Sequence, residues 1–438
     1  MGTPPSSGPA GDPPYQSPIS PGRSWYEDSV PERPRYPKLE GDLDTDVLVV
    51  GGGFTGLSAA AHLASAGIDV AVVEAARFGD GASGRNGGQL GTGQRLWSSE
   101  LAERYGAERA KALFDLAEDA KAHLLDFTAA HGIEVDFRRG QLSVAHKQRY
   151  VADYEAQAED LSANYDYPHA RFMGPEETAA RTGSKRYFGG MDDQGTGHIH
   201  PLKLLVGTAK VAAAAGAKLF EETPILSLTG TGSVLATTRT GRIRASRALV
   251  ATNAHGGDLS EAAARHIMPI RSFIGATEPL AEPERVIPGG ESVDDSRFSV
   301  RYFRKSADGR LLFGGREAYT SETGDISAHI RRQIAEVYPH LKDVPISHAW
   351  GGSVGITMER LPYVRQVEPG ITAIGGFSGH GVMMANFAGR LFAERLSGNR
   401  DRLALLEDLE ITPFPGGRAL RTPLLVLAMT WYALRDRF

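Results

Sequence analysis

The run Asp46-Val47-Leu48-Val49-Val50 passes directly into Gly51-Gly52-Gly53-Phe54-Thr55-Gly56, and no other part of the chain constrains the fold so tightly. A short, continuous apolar run suits a strand buried on both faces, as in a parallel sheet. Leu57 to Ala66 then carries a helical pattern closed by Gly67 at the C-cap, and a second strand, Asp69 to Val73, ends at Glu74. Strand, turn, helix and strand make one right-handed βαβ unit. Gly51, Gly53 and Gly56 have the spacing of a dinucleotide fingerprint. The first permits a tight turn, the second lets a pyrophosphate approach the backbone, and the third lets helix and strand pack closely. The helix N-terminus adds unpaired N–H groups and partial positive charge. Glu74, 18 residues beyond Gly56, stands where a carboxylate accepts hydrogen bonds from ribose hydroxyls. The pattern predicts a bound dinucleotide and leaves open whether it is a flavin or a nicotinamide.

Length and composition bound the rest. At 438 residues, a prior of about 150 residues per domain gives two or three domains, or one large interrupted one. Acids outnumber bases 53 to 48, which argues against a nucleic-acid partner. The absence of cysteine excludes a disulfide framework, a thiol nucleophile, a Cys-ligated metal and attachment of a cofactor through sulfur. Met1 to Pro21 has no apolar core of signal-peptide kind. The longest apolar run, the 12 residues Pro423 to Leu434, falls short of the roughly 20 that span a bilayer and reads as a docked terminal helix. The expectation is a cytoplasmic protein with no membrane span. Ten of the 25 prolines lie in the first 40 residues, which predicts a flexible arm to about Ser24.

Further along, helical texture fills Ser98 to His131 and Lys147 to Asn164, and a turn-rich stretch spans Gly183 to Gly197. An alanine-rich helix, Leu202 to Ala215, closes at Gly216. Short strands follow at Ile225 to Leu228, Ser233 to Thr238 and Arg242 to Ser246, then an apolar strand at Ala248 to Thr252 that rejoins a central sheet. Met268 to Arg316 reads as β-rich, with a turn at Ser306 to Gly309. The expected organisation is α/β (α+β): a discontinuous Rossmann-like part at 44–105, 190–266 and 345–400, a second part on an antiparallel sheet at 106–189 and 267–344, and a docking tail at 401–438.

Two more glycine-rich loops stand out. Gly79 to Gln89 is too rich in glycine and small polar residues for a simple connector. Near the other end, the strand Ile371 to Ile374 leads into Gly375-Gly376-Phe377-Ser378-Gly379-His380-Gly381 and a helix, Val382 to Leu396. A helix N-terminus aimed at a ring that becomes negative on reduction would stabilise that charge. His380 reads equally as a capping residue or as a contact to such a ring.

These stretches resemble the FAD-dependent D-amino-acid and amine oxidase superfamily, most of all its gamma-glutamylputrescine oxidoreductase branch. The likeness lies in Ser24-Trp25-Tyr26, in Gly81 to Gln89, in Gly197-His198-Ile199-His200-Pro201 and in Thr277-Glu278-Pro279-Leu280. It continues in Trp350-Gly351-Gly352, in Gly376 to Gly381 and in Pro413-Phe414-Pro415-Gly416-Gly417. The resemblance implies that FAD is lined by Gly51, Gly53, Phe54, Thr55, Gly56, Glu74 and Ala75, then by Ala82, Ser83, Arg85, Asn86, Gly87, Gly88 and Gln89. Thr223-Pro224-Ile225 would touch adenine, Ala251-Thr252 would pass beneath the pyrophosphate, and Gly379, His380, Gly381, Val382 and Met383 would meet the flavin's pyrimidine end. Relatives often attach FAD through cysteine, so here it would be non-covalent. Sarcosine oxidases carry a lysine after the Gly-His-Gly turn that grips the substrate carboxylate; Met383 stands there instead. Their oxygen-assisting lysine aligns near Leu312, which leaves the electron acceptor open between oxygen and another molecule.

The reaction implied is oxidation of an amine C–N bond, with gamma-glutamylputrescine as the type of substrate. Hydride passes to flavin N5, the imine hydrolyses to aldehyde and ammonia, and oxygen as acceptor yields hydrogen peroxide. The alternative is oxidation of a small amino acid: sarcosine, glycine or a D-amino acid. Because the cofactor carries the chemistry, no protein base is required; pocket candidates are His380, Tyr302, Arg304, Arg316 and Trp350. Three rivals have weak support. Gly351-Gly352-Ser353-Val354-Gly355 matches a nucleophile elbow literally, yet no helical face follows it. His198 and His200 lack metal-ligand spacing, so no metal is expected. A nicotinamide dehydrogenase, or a nucleotide-binding module without turnover, would be colourless where a flavoprotein is yellow.

Overall fold

The computed structural model describes residues 16–257, 259–318, 325–398 and 402–416, without the side chains of 316–318. Sixteen strands among them form two sheets of eight. At the centre of the first, β1 (Leu43–Val50) pairs in parallel with β2 (Val70–Val73) and β9 (Arg242–Val250). β6 (Lys218–Phe220) extends the sheet beyond β2, and β16 (Ile371–Gly375) beyond β9, both in parallel. Antiparallel β15 (Tyr363–Glu368) forms one edge, and β7 (Ser227–Gly230) with β8 (Val234–Thr237) makes a small meander hung on β9. Val47 to Val50 and all of β2 are buried, as strands covered by helices on both faces must be.

The second sheet runs β14 (Ile346–Ile356), β10 (Met268–Thr277), β13 (Leu311–Ala318), β12 (Tyr302–Lys305), β11 (Ser292–Asp295), β3 (Arg138–Val144), β5 (Gly190–His198), β4 (Ala170–Met173). Its pairings are antiparallel apart from β11 with β3. The helix Ile326–Val337 covers one face, over a core in which Phe303 and Phe313 stack with centroids 4.9 Å apart and Tyr338 is fully buried.

Several expectations need correction. The helix after the fingerprint turn begins at Phe54 rather than Leu57, because Gly53 is its N-cap. The turn-rich stretch before Gly197 holds strand β5, whose Asp192 is paired with Arg171 and Arg181 and whose Asp193 accepts from Tyr167 Oη at 2.7 Å. Arg242 to Val250 is one strand where two were expected. Its first half alternates exposed and buried against the meander, and its end is buried in the sheet. β5 and β14 belong to the second sheet, although the expected division places them with the nucleotide-binding part. The segment expected to be a flexible arm to Ser24 is packed over 17–24: Ser20 and Ser24 are buried, Ser20 Oγ donates to Asp80 O, and Pro21 O accepts from Gly351 N. Pro423 to Leu434 lies outside the described residues. Among those described, no helix is long and apolar enough to cross a membrane.

Candidate active site

Gly51 has φ +106, in the left-handed region where a side chain is strained, and a Cβ there would lie 2.8 Å from Ala251 O. A Cβ on Gly56 would lie 2.0 Å from Gly51 O, so the turn and the helix Phe54–Ser65 touch backbone to backbone. Ser83 Oγ accepts from Phe54 N at 3.0 Å, which brings the second glycine-rich loop to the helix's first turn. Glu74 Oε2 accepts from Gly52 N at 2.8 Å and Oε1 from Ala76 N at 3.0 Å. Burial raises this carboxyl's pKa, and these N–H donors pull it back down. Thr223 N donates to Glu74 O at 2.8 Å, and Ala251 N to Val50 O at 2.8 Å. The turn, Glu74, Thr223 to Ile225 and Ala251-Thr252 therefore meet at the carboxyl edge of the parallel sheet, where open α/β sheets bind nucleotides.

A cleft with about 1230 Å³ of open space lies between this sheet and the second. Ala82, Arg85 to Gly91, Gly379, His380 and Val382 line it from the parallel side, and Gln141, Ser272, Ile274, Asp294, Tyr302 and Val354 from the antiparallel sheet. The polar groups on the second wall form a row set by register, Ser143 opposite Asp294 and Asp294 opposite Tyr302. The Tyr302 phenol leans over Gly314, where a Cβ would be 2.2 Å from its ring, and its Oη is 3.0 Å from Ser272 Oγ.

His380 is the N-cap of the helix Gly381–Leu396 and makes no side-chain cap bond. Its Nε2 is buried without a partner. Desolvation, with the Arg95 and Lys121 charges adding to it, lowers its pKa to about 3, so the ring is neutral in neutral solution. A Cβ at Gly379 would meet nothing within 4 Å, leaving the backbone before this helix open to the cleft. Neutral His380, the uncapped helix N-terminus and the glycine cradle at the first turn are a donor set and a space that fit FAD.

Side chains of the loop Ala82 to Gln89 also hold the chain together. Arg85 is buried and spends its guanidinium on Gly351 O, Pro21 O, Gly22 O and Glu27. Asn86 shapes its own loop, its Nδ2 donating to Ala82 O and Ser83 O and its Oδ1 accepting from Gly88 N. Gln89 Nε2 donates to Val293 O. Two pocket candidates do not reach the cleft as free groups. Trp350 is fully buried with Nε1 donating to Arg85 O, and Arg304 donates to Gly87 O, Ile199 O and Tyr26 Oη. The sequence suggests both as pocket residues because it does not show which polar groups a buried neighbour needs. The Arg316 side chain lies outside the described residues. Met383 is fully buried. Gly351 to Gly355 lies inside β14, so the elbow motif has no turn to sit on. His198 Nε2 lies 3.0 Å from Gly290 O and His200 Nδ1 accepts from Lys203 N, which makes both fold-shaping groups.

Sequence reasoning missed Asp294, Gln141, Ser272 and Arg95. Nothing local marks them. The one usable signal is that an acid in a short β-rich run, Ser292 to Asp295, faces whatever its strand neighbours face.

The family model for FAD dependent oxidoreductases, DAO, matches residues 46–395. The chain is 58% identical over 426 residues to a probable oxidoreductase, OrdL, of Rhizobium meliloti (strain 1021), covering 97% of this chain and 100% of that one. It is 34% identical over 418 residues to gamma-glutamylputrescine oxidoreductase of Escherichia coli (strain K12), covering 94% and 98%. The crystal structure of glycine oxidase from Geobacillus kaustophilus superposes with a TM-score of 0.71 at 20% identity, over 82% of this chain and 96% of that one. With its fingerprint turn, its open cleft and a family match across most of its length, the chain belongs to the DAO family of FAD-dependent oxidoreductases.

Proposed function

We propose that the protein oxidises the C–N bond of an extended amine of the gamma-glutamylputrescine type. Held in the cleft, FAD supplies a two-electron acceptor for the hydride leaving the amine's α-carbon. The chain binds, orients and desolvates. The βα turn and Glu74 hold the nucleotide half, and the loop Ala82 to Gln89 with Gly379 to Val382 holds the ring. The sheet wall of Tyr302 and Ser272 positions the amine. Water then adds to the released imine, giving aldehyde and ammonia. Oxygen or another acceptor takes the electrons.

The observation that carries this reading is Met383. Two residues beyond Gly381, its side chain is fully buried and uncharged, so no cation grips a small substrate's carboxylate there. Similarity over nearly the full length of the E. coli gamma-glutamylputrescine oxidoreductase supports the same choice. The test is anaerobic bleaching of the FAD-loaded protein with gamma-glutamylputrescine, putrescine, sarcosine, glycine and D-amino acids. Fastest bleaching by gamma-glutamylputrescine is expected. Bleaching by sarcosine or D-alanine alone would assign a small amino acid instead.

A further inference from the structure

Arg95 and Asp294 reach the cleft from separate parts of the fold, one from the loop after Gly91 and the other from β11. Arg95 is exposed and makes no hydrogen bond or ion pair among the described residues. Asp294 commits one oxygen only: Oδ1 accepts from Gln141 Nε2 and Ser143 Oγ, both at 2.8 Å, while Oδ2 has no partner among the described residues. The two opposite charges do not pair with each other. Both also line a second cavity, continuous with the cleft and of comparable size, whose far wall carries Trp97, Tyr150 and Tyr154. The combined space is larger than a small amino acid fills, and the residues shared by its two chambers include a guanidinium and one carboxylate oxygen without a partner among the described residues.

A carboxylate suits the planar fork of Arg95, and an ammonium suits the open oxygen of Asp294. One chemical group offers both on a single carbon. We propose that Arg95 and Asp294 read a zwitterionic aminocarboxylate head at the end of the substrate remote from the oxidised bond. The proposal rests on the amine reading above and adds the residues that set its specificity.

The probe is γ-glutamylbutylamide, which keeps the head and lacks the reacting amine, measured by calorimetry on FAD-loaded protein. R95Q and D294N should each weaken its Kd about tenfold or more, the loss of one charge-assisted hydrogen bond. FAD absorbance and thermal midpoint serve as the folding control, and neither side chain belongs to the core. In turnover, the KM ratio of N-acetylputrescine, which lacks the head, to gamma-glutamylputrescine should narrow by about the same factor. An unchanged Kd and ratio in either variant overturns the proposal. So does an equal loss of affinity for N-butylacetamide, which would mark a general packing role. Wild-type protein that sarcosine bleaches and gamma-glutamylputrescine does not would overturn the amine reading itself.

Discussion

Burial lifts the Asp294 carboxyl from 3.8 to about 6, against the pull of the Ser143 and Gln141 hydrogen bonds and of the Arg95 charge, with the Asp295 carboxylate adding to the rise. Because the native state holds the extra proton between those values, Asp294 contributes less stability as pH rises through that window. Binding of an ammonium head runs the other way, since only the ionised carboxylate attracts it. The titratable neighbours leave that window to Asp294: His380 is already neutral above about 3, and burial holds Tyr154 protonated. Asp295, itself raised by burial, is committed to Arg297. KM for gamma-glutamylputrescine should therefore climb toward about tenfold per pH unit below 6, a limb absent from N-acetylputrescine and from D294N. Steady-state KM measured from pH 5 to 8 checks it. Gly91 supplies a second prediction. It holds φ +80, and a Cβ would lie 2.5 Å from His380 Nε2. G91A should displace the imidazole and add about 1–3 kcal/mol of backbone strain, lowering FAD occupancy in the purified protein. The fingerprint glycines were legible in the sequence because their requirement is local, a turn and a helix start within six residues. Asp294 and Arg95 were not, since their neighbourhood is made by strand pairing between segments about 150 residues apart.

Elements differ in how openly they advertise themselves for the same reason. β1 and β2 are buried on both faces and read as plain apolar runs, and the helix Gly381–Leu396 shows its face in Met384, Phe387, Ala388 and Leu391. β5 is polar and holds three glycines; it is a strand because arginines from neighbouring elements neutralise Asp192, and a tyrosine satisfies Asp193. The helix Gly381–Leu396 also reveals a packing constraint that sequence periodicity hides. At Gly389 it crosses the helix Phe54–Ser65 so closely that a Cβ would stand 2.2 Å from Thr55 O and 2.8 Å from Ala59 N. Alanine is the better helix former by about 1 kcal/mol, yet here it would force the two helices apart and shift the fingerprint turn. G389A should cost a net of about 1–3 kcal/mol, lowering the Tm by about 1–3 °C and weakening FAD retention together. A thermal scan with and without added FAD measures both. A variant with raised Tm and full FAD content would show that the gap between the helices yields freely.

Across the whole molecule, one side chain joins parts that are remote in sequence. Arg85 leaves the glycine-rich loop and donates to Gly351 O in the second sheet, to Pro21 O and Gly22 O of the N-terminal segment, and to Glu27 of the helix Trp25–Ser29. The fastening continues outward: the Arg85 carbonyl accepts from Trp350 Nε1, and Gly351 N donates to Pro21 O. The Arg85 side chain is wholly buried, and Glu27 is 13% exposed. Removing the cation would leave a nearly buried carboxylate without its ion partner and take one donor from each of three carbonyls, a loss of about 3–5 kcal/mol by the usual cost of breaking a buried pair. R85A should thus lower the Tm steeply and release FAD, because the loop it anchors lines the cleft. Lysine should not rescue it, since a single ammonium lacks the planar fork that reaches several acceptors at once. Comparing R85A and R85K by thermal denaturation and by flavin content of the purified protein separates the two roles. If R85K restores the Tm, positive charge alone holds the three segments. If R85K stays as unstable as R85A, the fastening depends on guanidinium geometry.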